Sequence, residues 1–165
     1  MRYFKLGKHS IHALGFGTWQ LAKDVTAEAV ETALMVGYAH IDCASAYGNQ
    51  KQVGEGIRNR GMDREEIFIT SKLWRTDMHK QDAIDACKRT MDELGVSYLD
   101  LYLMHWPDRS VPMEETMDAL EELKEMGLIR EYGVSNCTVH HLKDIMKRGY
   151  EPVCDQVEFH PSLNH

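Results

Sequence analysis

The sequence has no excess of basic charge. Its 26 Asp and Glu outweigh 19 Lys and Arg, for a formal net charge of -7. With no basic face to compensate, a general nucleic-acid binder is excluded. Paired cysteines are also lacking. Cys43, Cys87, Cys137 and Cys154 form no CxxC pair and do not have zinc-ligand spacing, so they read as reduced thiols in a cytoplasmic protein rather than as a disulfide or metal framework. No apolar run reaches membrane-spanning length, and the opening "MRYFKLGKHS" has no signal-peptide core. There is no low-complexity segment and no linker. There is no P-loop either, and "GFGTWQ" begins like a dinucleotide fingerprint but places Gln20 where a third glycine would stand.

What is present suits one folded domain over residues 1–165. At 43% hydrophobic and 27% charged residues, the chain is soluble, globular and long enough for a substantial core. Strand-like and helix-like segments alternate along it. "ALGFGTW" is a short apolar segment, followed by a helix over 26–37 with Thr26 as N-cap and Gly37 past its end. "AHIDCA" is a brief strand, and "NQKQVGEGIRNRG" is a helix closed by Gly61. "EIFITSKLW" is a strand rich in β-branched and aromatic residues. Ile84, Cys87, Met91 and Leu94 form one apolar helical stripe that Gly95 ends. "YLDLYLMH", "LIREYGVSN" and "EPVCDQVEFHP" read as strands. A helix begins at Pro112 and stops before Gly127, and another is capped by Thr138. This βαβ alternation predicts a parallel sheet covered by helices, either doubly wound or of the TIM-barrel type. "YFKL" and "IHAL" around "GKHS" suit a hairpin capping the bottom of a barrel.

Each strand stops at a distinctive polar residue: Asp42, Lys72, His105, then Ser135 with Asn136, then Gln156. Asp42, Lys72, His105 and Ser135 recur roughly 30 residues apart, the length of one βα unit. In a parallel barrel they therefore gather at the C-terminal face, where active sites sit. Singly, each has an ordinary reading: an Asp after a strand caps a helix, a Lys is solvated, and a His is structural. Together with Tyr47 they make a chemical set. A phenol titrates near pH 10, so donating a proton at neutral pH requires a positive charge beside it, which Lys72 can supply. Asp42 can pair with Lys72, and His105 can hold a carbonyl oxygen at the phenol. Trp19, Trp74 and Trp106 can wall an apolar substrate. No member of the set can supply hydride, which implies a nicotinamide cofactor.

The motifs closely resemble those of the aldo-keto reductase superfamily. "GYAHIDCASAYGNQKQVG" is similar to its first signature. "LGFGTW", "ITSKLW", "LYLMHWP", "YGVSN" and "DQVEFHP" match its other blocks in order. The resemblance implies a (β/α)8 TIM-type barrel, here about its first six strands and five helices after a short N-terminal hairpin. It implies NADPH-dependent reduction of an aldehyde or ketone, with no metal. By position, the resemblance makes Asp42, Tyr47, Lys72 and His105 the catalytic tetrad. It makes Thr18, Trp19, Asp42, Ser135, Asn136 and Gln156 cofactor contacts, and Trp19, Trp74, His105 and Trp106 substrate contacts. The departures are Ala39 where Arg is frequent, Gln50 where Glu is common, and Cys137 in place of an aromatic. The sequence given ends after the sixth strand, so the first and sixth strands are expected to have open edges. An inner face rich in Val, Ile and Leu is expected to be exposed, with self-association through the open edges. The alternative readings are a weakly active or inactive truncated product and a cofactor-sensing binding protein of the same fold.

Overall fold

The computed structural model describes residues 2–163. An antiparallel hairpin, β1 (Tyr3–Leu6) and β2 (His9–His12), turns at Gly7 and Lys8. Six parallel strands follow in spatial order equal to chain order: β3 (Phe16–Gly17), β4 (His40–Asp42), β5 (Phe68–Leu73), β6 (Leu99–Met104), β7 (Ile129–Ser135) and β8 (Asp155–Gln156). Between them run α1 (Lys23–Met35), α2 (Gln50–Arg60), α3 (Lys80–Leu94), α4 (Met113–Glu125) and α5 (Val139–Lys147). The sheet is an α/β half-barrel of six strands with five helices on its outer side. No described helix is long and apolar enough to cross a membrane.

The strands bury both faces, and their residues sort by parity. Ile41, Cys43, Ile69, Leu73, Tyr102, Met104 and Val134 point outward into one core shared with Val30, Ile57, Met117, Leu120 and Ile145 of the helices. The α3 stripe of Ile84, Cys87, Met91 and Leu94 lies wholly within that core. Each fully buried aliphatic side chain stabilises the fold by about 1.5–3 kcal/mol. α2 sits unusually close to its neighbours. A Cβ on Gly54 would lie 2.3 Å from the Leu94 carbonyl oxygen, and one on Gly56 would lie 2.4 Å from that of Ala27.

Three expectations are corrected. Thr26 is not the cap of α1, which begins at Lys23 after Ala22. Its buried hydroxyl donates to the Ala22 carbonyl at 2.8 Å, the back-bonding open to Thr inside a helix. The last strand pairs only at Asp155 and Gln156. The inner face is not an exposed Val, Ile and Leu surface. Its positions are filled by His40, Asp42, Thr70, Lys72, His105 and Glu131, while Leu101 and Leu103 are 4% and 0% exposed beneath Leu6 and Ile11 of the hairpin. Ile41, Ile69 and Val134 went to the helix side, and the hairpin plugs the bottom. Lys8 N donates to Glu131 Oε1 at 3.4 Å, tying that plug to β7. Thr138 does cap α5, its hydroxyl accepting from His141 N, and Gly95 ends α3 at φ +69°.

Candidate active site

Alternation in three short strands creates the site. On β4, Asp42 points inward and Ile41 outward. On β5, Lys72 points inward between Ser71 and Leu73. One position beyond β6, His105 continues the inward series of Leu101 and Leu103, held to the neighbouring strand by its N–H on the Leu73 carbonyl at 3.1 Å. After β4 the chain turns through a 3-10 segment, Ser45–Tyr47, which ends at Gly48 with φ +69°. That turn brings Tyr47 back over Lys72, and Ser45 Oγ fastens it by donating to the Lys72 carbonyl at 3.2 Å.

Lys72 is 1% exposed and spends its ammonium fully. It donates to Asp42 Oδ1 at 2.5 Å, to the Cys43 carbonyl at 3.0 Å and to the Tyr47 hydroxyl oxygen at 3.0 Å. Burial pushes the Lys72 ammonium toward deprotonation, but the Asp42 carboxylate and Tyr47 more than reverse this, so its pKa stands above the ordinary lysine value. His105 lies edge-on to Tyr47, ring centroids 5.7 Å apart, and to Trp74 at 5.1 Å. Burial, with Lys72 adding to it, lowers the His105 pKa to about 4. The ring is neutral at physiological pH. Its Nδ1 is buried with no hydrogen-bond partner among the described residues. A buried N–H left unpaired costs more than a buried lone pair of such a ring, so Nε2 carries the proton. Neutral His105 therefore faces the cleft as a hydrogen-bond donor.

The cleft above these groups encloses about 750 Å³ and is lined by Trp19, Asp42, Tyr47, Trp74, His105, Trp106, Ser135, Asn136 and Gln156, together with Ala46, Val157 and Glu158. All the residues expected from the sequence meet here except Thr18 and Lys72, which lie beneath the surface. Thr18 is fully buried, and its hydroxyl and N–H both reach the Asp42 carbonyl at 3.0 Å. It fixes the end of β3 rather than facing the cleft. Asn136, at φ +58°, donates to the His105 carbonyl at 2.9 Å. A larger hollow of about 1200 Å³ adjoins through Trp106 and Asn136 but holds none of Asp42, Tyr47, Lys72 or His105.

Sequence reading missed three features. Ala46, Val157 and Glu158 line the cleft; Ala46 adjoins Tyr47 and Val157 adjoins Gln156, and that adjacency was the available signal, while Glu158 had none. Gln50 anchors a buried network: its Nε2 donates to Glu93 at 2.9 Å and its Oε1 accepts from Ser71 Oγ at 2.7 Å. A glutamate there would face the Glu93 carboxylate, so the departure at Gln50 has a local reason. Third, Gln156 Nε2 donates to Asp42 Oδ2 at 2.8 Å across 114 residues of sequence, which no local pattern encodes. All four cysteines are free, and burial pushes the Cys43, Cys87 and Cys137 thiols up to about 12.

The chain that builds this half-barrel is close to known proteins in sequence and in fold. The sequence profile of the Aldo/keto reductase family covers residues 13–165, and the chain belongs to that family. It is 40% identical to the D/L-glyceraldehyde reductase of Hypocrea jecorina, over 94% of this chain and 55% of that protein. An aldo/keto reductase from Brucella melitensis superposes with a TM-score of 0.91 at 40% identity, over 97% of this chain and 64% of that one. The aldose reductase of Giardia lamblia superposes at 0.84 with 39% identity, over 89% and 57%. The chain spans about half the length of the curated relatives it matches.

Proposed function

We propose that this chain carries the catalytic half of an NADPH-dependent carbonyl reductase. The observation that carries the reading is Lys72, whose buried ammonium touches both Asp42 Oδ1 and the Tyr47 hydroxyl beneath an open cleft. A positive charge beside a phenol favours release of its proton. Tyr47 is the general acid, and Lys72 is the charge that makes it one. Asp42 keeps Lys72 protonated, and neutral His105 donates from Nε2 to the carbonyl oxygen and holds it within reach of the phenol. Trp19, Trp74 and Trp106 line the cleft and offer apolar surface to the substrate.

The donor set fits the nicotinamide end of the cofactor. Gln156 and Asn136 line the cleft beside Asp42, and their amide oxygens can accept from a carboxamide. Ser135 lies between them, its hydroxyl turned to the Gln156 carbonyl at 2.8 Å. When bound, the nicotinamide supplies the hydride that no side chain of this chain can. The relatives' names, glyceraldehyde reductase and aldose reductase, fit an aldehyde substrate.

The test is oxidation of NADPH by the purified chain with a reactive aldehyde, beside its Tyr47→Phe variant. Turnover that falls by about 100-fold or more in the variant is expected from losing a general acid. Equal rates in both proteins, or no turnover in either, would remove this role.

A further inference from the structure

The polar groups around the mouth form an unbroken circuit. The Tyr47 hydroxyl accepts from Lys72, and Lys72 donates to Asp42 Oδ1. Asp42 Oδ2 accepts from Gln156 Nε2 at 2.8 Å. The Gln156 carbonyl accepts from Ser135 Oγ at 2.8 Å and Asn136 N at 3.0 Å. Asn136 Nδ2 returns to the His105 carbonyl at 2.9 Å. The sheet is open between β3 and β8, yet this circuit crosses the gap. The crossing is made by one side chain, Gln156.

We propose that Gln156 is a positioning residue of the tetrad, acting through Asp42. A carboxylate on a three-residue strand is free to turn about its own bonds. The Gln156 amide, its backbone pinned by Ser135 and Asn136, occupies Oδ2 and leaves Oδ1 directed at Lys72. Two donors thus divide the carboxylate, one on each oxygen, and set the line from Asp42 through Lys72 to Tyr47. The other groups facing the Lys72 ammonium are the Cys43 carbonyl, His105 from the β6 end and His40 one layer below on β4. None of them touches Asp42 Oδ2, and among the described residues Gln156 alone donates to it. The functional meaning of this role rests on the reading of the tetrad given above.

The experiment is NMR of lysine-labelled protein, following the Lys72 ammonium in the unliganded chain. Gln156→Met keeps the side chain's length and removes its N–H donors. The Lys72 ammonium is then expected to exchange with water about tenfold faster and to titrate at lower pH than in wild type, the weight of one hydrogen bond to a charged group. Backbone amide spectra report whether the fold is kept. Gln156→Glu gives a second reading that does not depend on that variant. At acid pH the two carboxyls share a proton and the bond to Asp42 is restored. At neutral pH and above they repel, and Lys72 exchange should rise. A folded Gln156→Met protein with wild-type Lys72 exchange and titration would overturn the proposal, as would a Gln156→Glu protein whose Lys72 exchange equals that of wild type at each pH in this range. Neither measurement needs cofactor or turnover. Absence of reductase activity therefore counts only against the proposed function, and an unmoved Lys72 only against the role of Gln156.

Discussion

His105 and Lys72 are buried side by side and respond to burial in opposite ways. The imidazole is only weakly favoured by the Asp42 charge, which burial and Lys72 outweigh, and loses its charge; the ammonium is bonded to Asp42 and keeps it. The pH consequences follow. The His105 pKa falls from the usual 6.5 to about 4 in the folded chain, so the unfolded chain binds the extra proton first. Stability from this group is present above about pH 6.5 and is lost as pH falls toward 4. Histidine NMR should show His105 titrating near 4, and a ring that titrates at 6 or above would contradict its neutral donor role. Lys72 behaves oppositely, because its folded pKa is raised. Its contribution is present below the ordinary lysine value of about 10.4 and is lost as pH rises through the folded value. Asp42→Asn removes the carboxylate that opposes burial, so alkaline unfolding should begin at lower pH in that variant. Circular dichroism against pH measures both limbs.

Strands and helices were legible because their periods are written locally. The α3 stripe lies in the core, and the once-per-unit polar residues at strand ends gather at or beneath one cleft. Helix starts were less legible. Thr26 has the chemistry of a cap, but it also has the chemistry of a back-bonded interior residue, and only the preceding turn decides between them. The α2 contacts were not legible at all. Gly54 looks like a weak residue for a helix, yet the backbone of Leu94 lies where its Cβ would be. Gly54→Ala should therefore destabilise the fold by about 1–3 kcal/mol through overpacking, despite the better helix propensity of alanine. Urea denaturation checks the sign. A variant as stable as wild type would mean that α2 can shift away from the end of α3 at no cost.

Across the whole molecule, the two outer strands of the parallel sheet are two residues each and bonded on one side. Phe159, just past β8, is 85% exposed and borders the larger hollow with Val139 and Val157. Open edges beside apolar surface template further pairing. The isolated chain is expected to associate with itself as concentration rises, and Phe159→Glu should weaken that association. Sedimentation velocity across a concentration series reads both. A wild-type chain that stays monomeric throughout would show that the hairpin plug and the polar inner face are enough to keep the open sheet solitary. Asp42, Lys72 and His105 could be picked out before any coordinates because a parallel βα repeat delivers strand ends to one level, whatever the details of packing, and Tyr47 followed from its chemistry five residues after Asp42. Which oxygen of Asp42 meets which donor could not, since Gln156 approaches it from the far side of the sheet. Nor could the confinement of inward aliphatic residues to the hairpin-plugged bottom, because alternation along a strand records two faces without saying which one the helices will cover.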